Sequence, residues 1–222
     1  GVSRATTDSH ITAAGTGTIA LTAARDIALA SGSSVVTANG NLTVEANRQM
    51  TATSGIFTGI DVNAGLIQAT GTGVVTVRGK GGDGASGLVG VTVRGGGDIL
   101  GGTSGTLTVV GTGGAQDSIF SAGDYGLYVT GSGSTISSAG ANVSVTGVGG
   151  SFGNLRQYGL VVDASGQISA GGGGTVSVVG QGGVSLNNHW GVVVSSNGVI
   201  TSNDGNVTVT GTGGGDGGGG NG

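Results

Sequence analysis

The chain has 222 residues, of which 55 are Gly, none is Pro and none is Cys, and only 8% are charged, with a formal net charge of −4. Without Pro or a Gly at every third place the chain is not collagen, and without Cys it forms neither disulfides nor thiolate metal sites. The small negative charge excludes the basic surface of a nucleic-acid-binding protein, and no apolar run is long enough for membrane insertion.

The first recurring element, which we name strand C, is an aliphatic residue followed two places later by a small one. The aliphatic positions are Ile11, Val36, Ile67, Ile99, Ile136, Ile168 and Ile200. Their small partners are Ala13, Ala38, Ala69, Gly101, Ser138, Ala170 and Ser202. This period-two spacing predicts a short strand with one buried face.

The second element, strand A, is the tripeptide Val-Thr/Ser-Val or a close variant. Its seven copies begin at Ile19, Leu42, Val75, Leu107, Val143, Val176 and Val207. Successive copies are 23, 33, 32, 36, 33 and 31 residues apart, and self-similarity at such a period is typical of a solenoid. The middle residues, from Thr43 to Thr208, are predicted to face outward; the neighbouring outward column, which includes Glu45 and Arg78, is too irregular for a flat ice-binding array.

The third element, strand B, completes the repeat. Its aliphatic pairs are Ile27/Leu29, Ile60/Val62, Val91/Val93, Leu127/Val129, Leu160/Val162 and Val192/Val194, with Val2 as a candidate for an irregular first member. Equivalent strands that follow one another must run parallel, and a parallel crossover is right-handed in almost all proteins. The sequence therefore predicts an all-β fold, a right-handed parallel β-helix of about seven three-strand turns. Residues 1–222 are predicted to form a single domain, with shorter-looped turns in 1–55 and Gly-rich long-loop turns in 56–222.

Two sets of glycines punctuate this repeat. The first set stands two residues before strand A, where we expect sharp turns with positive φ: Gly17, Gly40, Gly73, Gly105, Gly174 and Gly205. The second set is predicted to open long Gly-x-Gly-Gly loops between strands A and B: Gly79, Gly111, Gly147, Gly180 and Gly211. These loops should share one side of the solenoid, which is where repeat proteins usually make their contacts.

The first turns, "GTGTIALTAARDIALASGSSVVTANGNLTVEAN", resemble the β-helical shafts of filamentous-haemagglutinin-type adhesins and other large bacterial surface exoproteins. The resemblance implies an extracellular or bacterial outer-surface location and a structural or adhesive, non-enzymatic role as part of a longer chain. The chain shows no secretion signal of its own, so we expect any export signal to lie outside it. Solenoid ends without polar caps expose a core cross-section, so we also expect end-to-end self-association or continuation in a longer chain.

Three aromatic residues occupy one place in successive repeats, since Tyr125, Tyr158 and Trp190 each stand before a Gly that leads into strand B. We expect their rings to stack about 4.8 Å apart at the base of the long loops. Two interpretations stay open: the stack pins the loops to the solenoid, or it binds a sugar ring or a neighbouring chain as a carbohydrate-binding module would. Phe120, Phe152 and His189 lie in the same loops and could extend the stack.

Carboxylates are too scattered to predict catalysis, because glycan-cleaving β-helix enzymes need acids clustered along one groove. The one candidate group is Asp83, Asp117 and Asp124, whose oxygens could also suit Ca²⁺. A polysaccharide-active enzyme is therefore the least favoured alternative, and isolated carboxylates that accept backbone N–H bonds are the simpler interpretation. His10 and His189 have no partner at ligand spacing, so the sequence predicts no catalytic residue, no metal site and no cofactor.

Overall fold

The structure is a computed structural model that describes residues 9–84, 87–115, 123–151, 156–184 and 189–214. These residues form twenty strands: β1 (His10–Ala13), β2 (Ile19–Ala23), β3 (Ile27–Leu29), β4 (Ser34–Thr37), β5 (Leu42–Ala46), β6 (Ile60–Asn63), β7 (Leu66–Ala69), β8 (Val75–Lys80), β9 (Val91–Arg94), β10 (Asp98–Gly101), β11 (Leu107–Thr112), β12 (Leu127–Thr130), β13 (Thr135–Ser138), β14 (Val143–Val148), β15 (Leu160–Asp163), β16 (Gln167–Ala170), β17 (Val176–Gln181), β18 (Val192–Val194), β19 (Val199–Ser202) and β20 (Val207–Thr212). Val2 lies outside the described residues.

Every third strand belongs to the same sheet. Sheet C has seven strands in the order β1-β4-β7-β10-β13-β16-β19, and sheet A has seven in the order β2-β5-β8-β11-β14-β17-β20. Sheet B has six, running from β3 through β6, β9, β12 and β15 to β18. Neighbouring strands pair in parallel, as in β11 with β14. The prediction of an all-β parallel solenoid with three strands per turn is therefore confirmed.

The aliphatic positions of strands A and B form continuous columns, as predicted, which are buried in the inner turns and partly exposed in the outermost ones. In sheet A the register aligns Leu107 with Val143 and Val143 with Val176. In sheet B it aligns Leu127 with Leu160. All of these side chains are at most 1% exposed, because the same face of each strand turns toward the interior and equivalent residues stack.

One position in strand C is a correction. The sequence pattern predicted Val36 and Ala38 in the inner column, but the structure pairs Ile11 with Val35 and Val35 with Ile67. Val35 is 3% exposed, whereas Val36 pairs with Gln68 in the outward column. The error arises because two adjacent valines satisfy period-two alternation in either phase, and only the stacking of turns decides between them.

The glycines before strand A were assigned the wrong cause, since none of the six has a positive φ. At Gly73 the reason is a close approach between turns, because an added Cβ would lie 2.1 Å from the carbonyl oxygen of Gly40. The second set was also misplaced: Gly79 and its equivalents lie inside strands β8, β11, β14, β17 and β20 and do not open the loops. Each of these strands continues for one more residue before the chain leaves the sheet.

The longest connections all leave the solenoid at one corner, between sheets A and B. They comprise residues 47–59, 81–90, 113–126, 149–159 and 182–191. The connections from sheet B to sheet C are short, such as 164–166 between β15 and β16. Because equivalent strands are stacked, the points where these connections leave sheet A and enter sheet B lie in a row along this one corner, which we call the loop corner.

Candidate functional site

The predicted aromatic stack is present at the loop corner. The ring centroids of Tyr125 and Tyr158 are 5.5 Å apart with an interplanar angle of 7°, and those of Tyr158 and Trp190 are 5.1 Å apart at 17°. The stack is regular because each ring precedes a B strand by the same number of residues, and strands β12, β15 and β18 pair in step. We call these three residues the aromatic ladder.

Tyr128, which the sequence analysis missed, joins the ladder from the outward face of β12. Its ring packs edge-on against Tyr125, with centroids 5.2 Å apart at 70°, and its hydroxyl donates to Oδ2 of Asp163 at 3.2 Å. Tyr128 is paired with Thr92 on one side and Val161 on the other. These two outward residues are only 6% and 5% exposed, so the outward face of sheet B is covered on both sides of Tyr128. The sequence signal that could have revealed Tyr128 was a Tyr at an outward position of a predicted strand.

The stacked geometry limits what the aromatic ladder can bind. A sugar usually packs on an open ring face, but here each ring lies face to face with its neighbour. Trp190, at the end of the ladder and 36% exposed, is the ring with most room for a ligand. Burial raises the pKa of Tyr125 and of Tyr128 above the usual value of 10.0, so both phenols are neutral at physiological pH.

A buried polar column lies one residue before the aromatic ladder, at Asp124, Gln157 and His189, all of which are fully buried. Oδ1 of Asp124 accepts the backbone N–H of Leu88 at 3.0 Å, and Nδ1 of His189 accepts that of Gln157 at 3.1 Å. The side chain of one turn thus holds the returning loop of the turn before it. The expectation that His189 extends the aromatic stack is wrong, because its ring points into the protein; Phe120 and Phe152 lie outside the described residues.

The candidate carboxylate group is not assembled among the described residues. Asp83 accepts the backbone N–H of Gly55 at 2.6 Å, and this hydrogen bond lowers its pKa below the usual value of 3.8. Asp124 is buried on the amide of Leu88, and Asp117 lies outside the described residues. Asp83 and Asp124 each serve a backbone amide of another turn, as the simpler interpretation expects. In the described ranges no cluster of three or more His, Cys, Asp or Glu residues has the arrangement of a metal site.

Asn47 is a second residue that the sequence analysis missed, and it organises the first long connection. Its side chain is 1% exposed, and its backbone has a φ of 55°. Oδ1 accepts the N–H of Thr53 at 2.6 Å, and Nδ2 donates to the carbonyl of Gly81 at 3.2 Å. An Asn directly after a strand was the available signal, because Asn tolerates the left-handed region better than most residues.

Removal of the aromatic ladder should loosen the loop corner without unfolding the sheets. In the triple variant with Tyr125, Tyr158 and Trp190 replaced by Ala, we expect an unchanged strand signal in far-UV circular dichroism, because the core columns are untouched. We expect faster amide exchange at the flanking residues 123–126 and 156–159, since each stacked pair contributes about 0.5–1.5 kcal/mol. Unchanged exchange there would contradict the pinning role.

Asp98 should make the protein less stable as the pH rises. Burial raises the pKa of its carboxyl above 3.8, so the folded state favours the protonated form. The free energy of unfolding should therefore fall as the pH rises above 3.8 toward the raised value. We expect Asp98→Asn to be more stable than the parent at pH 7 and equal to it at pH 2, as measured by thermal unfolding. Asp83→Asn is the control with the opposite sign at pH 7, because the pKa of Asp83 is lowered.

Comparison of the chain with protein-family models, with curated proteins and with solved structures gives no match. Within the described residues, no helix has the length and apolar character needed to cross a membrane. The fold itself defines the class: the chain is a parallel β-solenoid, with its long connections and its aromatic ladder gathered at one corner.

Proposed function

We propose that this solenoid is a structural or adhesive segment, a shaft or filament, of a bacterial surface or extracellular exoprotein. Its role is non-enzymatic, and it makes its contacts through the loop corner. The observation that carries the proposal is the uninterrupted stacking of aliphatic columns in all three sheets, from Ile27 in the inner column of sheet B to Val178 in that of sheet A. Such a core makes a stiff rod whose length grows by about 4.8 Å per turn.

The location can be tested on the bacteria that produce the protein. Antibodies raised against the 222-residue chain should label intact cells in immunogold electron microscopy, and protease added outside should remove the label. An abundant periplasmic protein serves as the control that protease must leave intact. Label found only after the cells are permeabilised would overturn the surface assignment.

End-to-end association is the second part of the proposal. Apolar side chains are exposed at both outer turns: Ile11 is 46% exposed in β1, and Val207 and Val209 are 43% and 47% exposed in β20. Among the described residues the outer edges of β1 and β20 pair with no further strand, and such edges beside apolar side chains favour pairing with further turns, in a longer chain or in a second copy.

Self-association is expected to increase the sedimentation coefficient of the chain as its concentration rises. Val209→Lys should abolish this increase with little loss of stability, because Val209 is already half-exposed. The control is Thr146→Lys, which adds the same charge on the outward face of β14. The neighbouring Val145 is fully buried, so Val145→Lys would unfold the chain and is unsuitable. A parent chain that stays monomeric at every concentration would contradict association with a second copy.

A carbohydrate-binding module is the alternative, and the exposed ring of Trp190 is the observation that favours it. A glycan array distinguishes the two. Binding that is lost in Trp190→Ala and kept in Trp190→Phe would support the module, whereas an array with no ligand would leave the aromatic ladder with its structural role.

A further inference from the structure

Three Asn residues occupy the same place in different turns, immediately before strand A. They are Asn41, Asn142 and Asn206, which precede β5, β14 and β20. Their backbone carbonyls make the same contact, since each accepts the N–H that opens the strand one turn earlier: Asn41 from Ile19, Asn142 from Leu107 and Asn206 from Val176. The three therefore lie in one column, which we call the Asn column, at the corner between sheets C and A.

Each member of the Asn column is followed two residues later by a hydroxyl side chain, at Thr43, Ser144 and Thr208, and never by Pro in between. No other Asn in the sequence has Ser or Thr at this distance. Asn-x-Ser/Thr is the acceptor pattern for N-linked glycosylation. In extended backbone the side chains of residues i and i+2 point to the same face, so amide and hydroxyl both face outward while the middle residue enters the core.

The pattern alone has a structural explanation, because the outward column that contains Thr43 is Thr or Ser in every turn except the first, where it is Ala20. The environment of the side-chain amides gives further support for a modification site. All three Asn residues are exposed. Oδ1 of Asn41 accepts the N–H of Val74 at 3.1 Å, and Oδ1 of Asn142 accepts that of Thr175 at 2.9 Å. These bonds fix the carbonyl side of each amide, while Nδ2 makes no hydrogen bond to the described residues.

We propose that Asn41, Asn142 and Asn206 are acceptor sites for N-linked glycans. The donor is a sugar activated through its anomeric oxygen by a diphosphate, and a separate transferase catalyses the reaction. The Asn Nδ2 forms a bond to the anomeric carbon, the bond from that carbon to the diphosphate oxygen breaks, and the diphosphate leaves with the bonding electron pair. One proton passes from Nδ2 to a base of the transferase.

The proposal assigns different roles to two corners of the solenoid. The Asn column lies between sheets C and A, whereas the aromatic ladder and the long connections lie between sheets A and B. With strands about 4.8 Å apart, the three glycans would stand about 14 Å and about 10 Å apart along one line. They would cover one corner and leave the loop corner free for contacts.

The test is mass spectrometry of the full-length protein isolated from the cells that make it, both intact and as peptides. We expect sugar-sized mass increments at Asn41, Asn142 and Asn206. A single sugar at each site would indicate a nucleotide-linked donor, and a block of several sugars a lipid-linked one. A protein with no increment at any of the three would overturn the proposal, whether or not it lies at the cell surface.

Variants of the hydroxyl residue separate modification from folding, because they leave the Asn hydrogen bonds in place. Thr43→Ala should remove the increment at Asn41, and Thr43→Ser should keep it. Thr76→Ala is the matched control, since Thr76 lies in the same outward column but follows Val74, so the glycan pattern should not change. Sugar retained on Asn41 in Thr43→Ala would show that the hydroxyl is not recognised and would contradict the proposal.

The structure also predicts an order of reaction in the folded protein. The side chain of Asn206 makes no hydrogen bond to the described residues, whereas Asn41 and Asn142 each hold an amide of the next turn through Oδ1. With purified chain, transferase and nucleotide sugar, we expect Asn206 to react roughly fivefold faster, the ratio that one ordinary hydrogen bond sets. A faster reaction at Asn41 or Asn142 would show that the side-chain amide of Asn206 is not the most accessible of the three.

Discussion

Replacement of Val143 by Asp should abolish the cooperative fold of the solenoid. Val143 is 1% exposed and is stacked between Leu107 and Val176 in the inner column of sheet A. A carboxylate placed there loses its water and finds aliphatic side chains in its place, at a cost of several kcal/mol. Because a domain of this kind is stable by about 5–15 kcal/mol in total, the variant should be unfolded or close to unfolding at 25 °C.

The control lies one residue away. Ser144 faces outward between Thr108 and Ser177, so Ser144→Asp keeps its charge in contact with water and should change the free energy of unfolding by less than about 0.5 kcal/mol. Urea unfolding followed by far-UV circular dichroism measures both variants. Equal midpoints would mean that the inward and outward faces of sheet A have been exchanged.

The fold was predictable because each strand type repeats its aliphatic spacing in nearly every turn. Six or seven copies of the same spacing outweigh the ambiguity of any single strand. Where one copy is ambiguous in itself, prediction fails, as at Val35 and Val36, because the residue that decides the phase is Ile67 in the next turn.

The aromatic ladder was predictable for the same reason, since Tyr125, Tyr158 and Trp190 keep a constant distance to strand B. The buried column beside it was not. Asp124, Gln157 and His189 share no chemistry that a sequence pattern would show, and a polar residue before a Gly-rich return is typical of an exposed loop. They are alike in position only, since each is buried where the loop rejoins the solenoid.

Glycine was the residue whose role the sequence concealed most. Its abundance indicated turns, and turns suggested positive φ. At Gly73 and Gly111, however, the constraint comes from a carbonyl group in another turn or in the connection that leads into the next sheet. A contact between residues distant in the chain has no local signature, so the positions were found and their cause was not.

Gly111→Ala is expected to be strongly destabilising, because Gly111 lies in a strand of sheet A that has no space for a side chain. Gly111 lies inside β11, paired with Gly79 and Gly147, where the strand passes close to the backbone that leads into β12. An added Cβ would lie 2.0 Å from the carbonyl oxygen of Gly126 and 2.7 Å from its carbonyl carbon. Both atoms are backbone and cannot rotate away, so the two sheets must separate at this corner. We expect a loss of about 3 kcal/mol or more in the free energy of unfolding.

Gly173→Ala is the matched control, because it makes the same chemical change where the structure has room. No atom lies within 4 Å of a Cβ at Gly173, and its φ is not in the left-handed region. There Ala restricts the unfolded chain more than the folded one, so stability should stay equal or rise by about 0.4–1 kcal/mol. Urea midpoints of the two variants separate the explanations: a similar loss in both would mean that glycine is needed for backbone freedom, whereas a loss confined to Gly111→Ala shows that the corner between sheets A and B has no space for a side chain.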